Sequence, residues 1–404
     1  MKAIIKASKA SGTVQAPPSK SMSHRELICA GLSKGESVIK NIAPSQDVLA
    51  TLDCLKALGA EFIYEGDTVK IKGADLNNVS DGTVLSCREC GSTLRFFIPI
   101  ALLTGKVIKF TGSETLLKRP LSVYEELCAS KGFSFERGDE FIKVNGSLGA
   151  GDYEVAGNVS SQFISGLLFA LPLAEGDSRV RIIPPIESRP YINMTLSAIA
   201  DFGVIARWED DTTLYVKGNQ EYDPRTLSVE GDYSNAAFFE ALNLAGGSVK
   251  VTGLNENSLQ GDKVYTKLFE LIKGETPKID ISNCPDLGPV LMAAAALKNG
   301  ATFTGTNRLK IKESDRSDAM KRELEKFGIK TDIGDDVITV HAGKLKTPET
   351  ELCGHNDHRI VMALSVLAAV TGGTIEGAQA VNKSFPDFFD RLKSLGIEVQ
   401  TWNG

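Results

Sequence analysis

Three short strings in this 404-residue chain gather cations, hydroxyls and carboxylates at spacings that would hold a small anion. PPSKSMSHR, residues 17–25, puts Lys20, Ser21 and Arg25 at the opening of one apolar helix. KIKESDR, residues 310–316, carries Lys312, Glu313 and Arg316, and HNDHRIVM, residues 355–362, carries Asp357, His358 and Arg359. A helix start leaves backbone N–H groups unpaired and bears a partial positive charge, which makes it a ready anion site. Planar Arg forks and Lys point charges are the side chains that best hold carboxylate and phosphate. The chemistry indicated is recognition of a small polyanion.

The elements that position these residues repeat along the chain. Apolar helices start at PSKSMSHRELICAGL, CGSTLRFFIPIALL, VSSQFISGLLFALPLA, DYSNAAFFEALNLAGG, CPDLGPVLMAAAAL and NDHRIVMALSVLAAV. Taking Lys20, Ser92, Ser161, Ser234, Asp286 and Asp357 as equivalent gives intervals of 72, 69, 73, 52 and 71 residues. A fixed period of this kind means one supersecondary unit used repeatedly. A β-branched strand follows each helix, as in GKVIKFTG or DSRVRIIPP, then a second, amphipathic helix such as DRSDAMKRELEKFG. A strand, a polar turn and another strand close the unit, as in IKTDIGDDVITVHAG, giving β-α-β-α-β-β. Near the starts of the second helices stand Asp47, Arg119, Arg189, Lys263, Arg316 and Lys383. Cations are disfavoured there by the helix dipole, so their recurrence points to an anionic ligand.

The fourth copy is shortened to KLFELIKGETPKIDIS, and the sixth ends at GIEVQTWNG without its last strand. MKAIIKAS, a strand without a unit, is expected to supply it. The chain then has two domains, 15–226 and 1–14 plus 227–404, with three units each. The crossings are expected near Val14–Pro17 and Asp223–Glu230, the second as a polar linker, QEYDPRTLSVEGD. Two adjacent crossings would act as a hinge, and a hinge between anion-lined faces would close on its ligand.

Bulk composition narrows the partners. Forty-five basic against 51 acidic residues give a net charge of −6, which disfavours nucleic acid. No apolar run reaches the roughly 18 residues of a membrane span, and MKAIIKASKASG has no secretory signal, so a cytoplasmic location is expected. Seven scattered cysteines form no disulfide framework. Cys87 and Cys90 make a C-x-x-C without a second ligand pair, so they are expected as small buried side chains, with no metal and no cofactor.

On the three strings, and essentially end to end, the sequence resembles the enolpyruvyl transferase family. The resemblance implies an α/β fold, a two-domain inside-out α/β barrel with six-fold pseudo-repeat. It also implies transfer of the enolpyruvyl group of phosphoenolpyruvate to the 5-hydroxyl of shikimate 3-phosphate by a monomer, on the route to chorismate. Ser21, Arg25, Ser160, Ser161, Gln162, Ser188 and Tyr191 then match the shikimate-phosphate contacts, with Lys20, Asp286 and Lys312 contributing. Lys20, Arg119, Gln162, Arg316, Arg359 and Lys383 match the phosphoenolpyruvate clamp, with Gly91 and Ser92 lending N–H groups. Lys20, Asp286 and Glu313 match the proton-moving groups.

Plainer roles compete at several positions. Ser160 and Ser161 suit N-caps, Glu313 suits a solvated charge, and His358 suits a loop support. Asp47 and Asp357 suit N-caps that position neighbouring cations and are not counted in the site. The chain departs from the family at Glu89-Cys90-Gly91-Ser92, where Asn-Ala-Gly-Thr is common, at Phe96, and at Arg308, which could contact the shikimate phosphate. A family member acting on UDP-N-acetylglucosamine would carry Lys-Asn at Lys20-Ser21 and a Cys in the loop read here as GSETLLKRP. A non-catalytic phospho-ligand module would not need Lys20, Asp286 and Glu313 together.

Overall fold

Six helices are buried nearly all round; all but the first, Lys20–Leu32, which buries Ser23, His24, Arg25 and Glu26, are mainly apolar. In Gly91–Leu103, every residue from Thr93 to Leu102 is buried, and Ile360 to Ala369 are likewise buried in His358–Thr371. The second helix of each unit is one-sided: Tyr265–Lys273 buries Tyr265, Leu268, Phe269 and Ile272 at helical spacing. Strands alternate, as in Ser178–Ile183, where Ser178, Val180 and Ile182 face inward. Helices therefore form the interior of each unit, and each sheet covers it with one face toward solvent.

The computed structural model describes residues 1–402. Its strands form five four-stranded sheets and one two-stranded sheet. Gly151–Ala156 runs parallel to Ser178–Ile183, which pairs antiparallel with Thr213–Val216, itself antiparallel to Ala206–Trp208. The other complete sheets repeat this order. They are six separate sheets around buried helices; among the described residues no strands close into a single barrel. The two-stranded sheet belongs to the shortened fourth unit, where Ser248–Thr252 has no following hairpin.

The N-terminal strand Lys2–Ile5 lies between Gly373–Glu376 and Val399–Trp402, antiparallel to both. It fills the place in the sixth sheet that the C-terminal segment leaves vacant. Ala3 and Ile5 face the core at 0% and 1% exposure. Ala3→Asp buries a charge without a partner and is expected to cost about 3 kcal/mol or more. Thermal denaturation beside Lys2→Ala, a change on the exposed face, checks it.

Two other strands exchange places. Ser11–Gln15 precedes the first apolar helix but pairs parallel with Ser248–Thr252 of the fourth unit. Thr226–Ser228 precedes the fourth apolar helix but pairs parallel with Glu36–Lys40 of the first. The segment expected as a linker thus carries a sheet strand. Met1–Pro17 with Gly231–Gly404 forms one compact unit and Pro18–Glu230 the other. The junctions fall after Pro17 and Glu230, slightly beyond residues 14 and 226. Each is sealed within its own unit: Asp232 N donates to Pro17 O, and Ser19 N to Glu230 O, both at 2.8 Å.

Candidate functional site

In the unit Pro18–Glu230, the helix Lys20–Leu32 begins on Ser19, whose hydroxyl caps Met22 N. Lys20 and Ser21 therefore stand in the first turn. Lys20 Nζ lies 2.7 Å from Asp47 Oδ2, and both side chains are largely buried. Ser45, not Asp47, caps the helix Gln46–Ala57. Asp47 is thereby released to hold the lysine.

Arg25 is fixed on three sides. Its Nε donates to Thr195 Oγ1 at 2.9 Å, Nη1 to Ser21 O at 2.7 Å and Nη2 to Tyr191 O at 3.0 Å. The ring of Phe96 lies beneath it, 5.4 Å from the guanidinium carbon to the centroid. Burial lowers its pKa to about 10. Ser188 stands next to this cluster in sequence, buried, with left-handed backbone at φ 55°, where it starts Arg189–Asp201.

A second cluster gathers at Gly91. A Cβ there would lie 2.7 Å from Arg119 Nη1 and 3.3 Å from Arg95 Nη1. The missing side chain is what lets two guanidinium groups reach this helix start. Arg95 Nη1 donates to Gln162 Oε1 at 2.7 Å, and Gln162 Nε2 donates to Ser92 Oγ at 2.8 Å. Ser160 Oγ accepts from Gln162 N at 3.3 Å, so Ser160 is an N-cap that also aims Gln162. Ser161 opens the helix it caps and is buried.

In the other unit, Asp286 is the hub. Its carboxylate accepts from Lys312 Nζ at 3.1 Å, Arg316 Nη1 at 3.0 Å and Arg359 Nη2 at 3.1 Å. Arg316, 1% exposed, reaches two more carboxylates: Nη2 donates to Glu313 Oε2 at 2.6 Å and Nε to Asp357 Oδ2 at 2.8 Å. Glu313 is therefore paired and only 17% exposed in its side chain, not a solvated charge. Asp357 caps Arg359 N at 2.9 Å, so it is both an N-cap and the anchor of Arg316. Lys383 Nζ donates to Asn356 O at 2.6 Å, next to that cap. His358 is buried on the same helix.

Burial opposes charge on Arg316, but Asp357, Glu313 and Asp286 outweigh it and raise its pKa. Arg359 is raised likewise, with Asp286 the leading attraction against burial. Lys312 goes the other way: burial, with Arg308 and Arg316 adding repulsion, outweighs Asp286 and pushes it down to about 8. Arg308, one of the departures, is thus felt by Lys312 and is itself buried.

Not every expected cation joins these clusters. Arg189 lies 3.9 Å over the Trp208 ring and donates to Asp211 O at 3.0 Å. Lys263 donates to Glu256 O of its own loop. The sequence reading missed Arg95, which stands beside Gly91 and Gln162, and left out Asp47. Arg95 was open to detection, being four residues after Gly91 and hence on the same helix face. Asp47 gave no local signal of its contact with a residue 27 positions away.

A family model described as EPSP synthase (3-phosphoshikimate 1-carboxyvinyltransferase) matches residues 4–392. A 3-phosphoshikimate 1-carboxyvinyltransferase of Clostridium perfringens is 40% identical, with 98% of each chain covered. That of Clostridium kluyveri is 39% identical over 99% of this chain and 98% of its own. Among solved structures, EPSP synthase from Acinetobacter baumannii superposes with a TM-score of 0.79 at 22% identity, covering 99% of both chains. An enolpyruvyl transferase from Streptomyces tendae gives 0.77 at 14% identity, over 99% and 98%.

Proposed function

The chain belongs to the EPSP synthase family, and we propose that the clusters around Lys20, Gly91 and Asp286 carry that family's chemistry. The reaction transfers the enolpyruvyl group of phosphoenolpyruvate to the 5-hydroxyl of shikimate 3-phosphate and releases phosphate. Arg25, Ser21, Ser160, Ser161, Gln162, Ser188 and Tyr191 hold shikimate 3-phosphate, with Lys20, Lys312 and Asp286. Lys20, Gly91, Ser92, Arg119, Gln162, Arg316, Arg359 and Lys383 hold phosphoenolpyruvate, and Arg95 joins them by its place against Gly91. No described helix is long and apolar enough to cross a membrane. A cytoplasmic monomer is part of the same proposal.

The carrying observation is Arg316, one buried guanidinium shared by Asp286 and Glu313. The reaction needs a proton delivered to C3 of phosphoenolpyruvate, which makes C2 electrophilic, and a proton removed from the attacking hydroxyl. Glu313, in its protonated form, delivers the first and Asp286 receives the second, with Lys20 assisting at the hydroxyl or the bridging oxygen. Elimination then returns a proton from the C3 methyl group to Glu313, restores the double bond and expels phosphate, whose charge the Arg and Lys groups stabilise. Phosphate release with phosphoenolpyruvate plus shikimate 3-phosphate, against UDP-N-acetylglucosamine, tests the reading. Release with the first acceptor alone is expected; release with the second alone overturns it.

Gly91→Ala is expected to displace Arg119, since the new methyl would lie 2.7 Å from its Nη1. The KM for phosphoenolpyruvate should rise several-fold while that for shikimate 3-phosphate stays nearly constant. Steady-state kinetics with each substrate varied in turn reads both.

Lys312 supplies a pH dependence. Its pKa of about 8 in the free protein means it is charged below that pH and neutral above. A phosphate-bearing ligand prefers the charged form, so the KM for shikimate 3-phosphate should rise as pH passes through about 8. Lys312→Arg keeps the charge over this range and should flatten the profile. A wild-type KM constant from about pH 7 to 9 would remove Lys312 from the phosphate site.

A further inference from the structure

Cys90 and His24, 66 residues apart, bring Sγ and Nε2 to 3.8 Å. With a carboxylate oxygen of Asp47, these donor atoms all lie within 4.8 Å of one another. The three residues are 1%, 1% and 6% exposed. The other ring nitrogen, His24 Nδ1, is 2.7 Å from Thr51 Oγ1, which is 2.8 Å from Thr93 Oγ1. With Nδ1–H donating to Thr51, and Thr51 to Thr93, Nε2 presents its lone pair to Cys90. A metal-binding imidazole is supported in this way, its second nitrogen tied to an oxygen that fixes the tautomer.

We infer that His24 Nε2, the Asp47 carboxylate and Cys90 Sγ form an inhibitory site for a zinc-class divalent cation, entered in exchange for the ammonium of Lys20. Zinc bonds of about 2.3 Å to sulfur and 2.0 Å to nitrogen separate tetrahedral donors by about 3.5 Å, so the sulfur and nitrogen at 3.8 Å need move little and the set, spread over up to 4.8 Å, draws in around the ion. Cys90 Sγ accepts from Thr93 N at 3.4 Å as the cap of its helix. On binding, a metal–sulfur bond forms, the Cys90 thiol proton passes to solvent, and no electron is transferred. The cation binds the Asp47 carboxylate that Lys20 holds at 2.7 Å and repels the ammonium. Inhibition rests on the reading above that Lys20 serves the substrates; the ligand set does not.

Cobalt(II) and zinc, added to the purified enzyme, test both parts. Cobalt should give a near-ultraviolet thiolate-to-metal charge-transfer band saturating at one equivalent. The band should vanish in Cys90→Ser and persist in Cys353→Ser, which removes the exposed cysteine. Serine is a good N-cap, so Cys90→Ser should fold and turn over normally. Zinc at saturation should lower wild-type turnover by about 10²-fold or more, reversibly by chelator, and spare Cys90→Ser. A missing band, or one retained in Cys90→Ser, overturns the site. A band lost in Cys90→Ser with zinc leaving wild-type turnover intact overturns the inhibition and places the fault in the role given to Lys20.

Discussion

Glu313→Gln is expected to lower turnover by about 10²- to 10⁴-fold, the span of general acid catalysis, with the KM for shikimate 3-phosphate nearly unchanged. The amide keeps an oxygen for Arg316 Nη2, which the carboxylate meets at 2.6 Å, so the local shape should survive. The proton donor is what is lost. Steady-state kinetics and a thermal midpoint together separate this from misfolding. Near-normal turnover in a folded variant removes Glu313 from the mechanism.

Asp286→Asn should do comparable damage to turnover but leave a different signature. Lys312, Arg316 and Arg359 all rest on this carboxylate, and the amide removes its charge from among them. Leaving buried cations short of their partner costs stability, on the order of 3 kcal/mol. The KM values should rise as well, because the same cations are the proposed ligand contacts. A variant with wild-type midpoint and substrate affinities would contradict the hub role of Asp286, whatever its turnover.

The large repeating features of the fold were legible because they follow from local patterning. All-round apolar helices, alternating strands and an unmatched N-terminal strand each leave a mark within a few residues. The sixth sheet could be completed by arithmetic alone, since one unit lacked the strand that another segment carried. The exchange of Ser11–Gln15 and Thr226–Ser228 between the first and fourth units could not. Thr226–Ser228 is a three-residue strand flanked by Pro224, Arg225 and Glu230, and its composition is that of a loop. Only its parallel pairing with Glu36–Lys40 makes it a strand.

The candidate site divides in the same way. Lys20, Arg25, Glu313 and Arg316 were visible because they cluster in short strings at helix starts. Ser45 shows the limit of that reasoning: it takes the cap at which Asp47 was placed, and Asp47 turns to Lys20. Arg189 shows the opposite error, a well-spaced cation drawn off by Trp208. The meeting of Cys90 with His24 is tertiary, and no spacing rule for metal ligands in one segment would have found it.

The central claim is that C3 of phosphoenolpyruvate is protonated before phosphate leaves. Running the reaction in deuterium oxide and weighing the product tests it directly. Addition would convert the methylene to a methyl group, and elimination would remove one of its three hydrogens, so the product's vinyl methylene should carry solvent deuterium. A product formed at full turnover with no deuterium at that carbon would contradict the account.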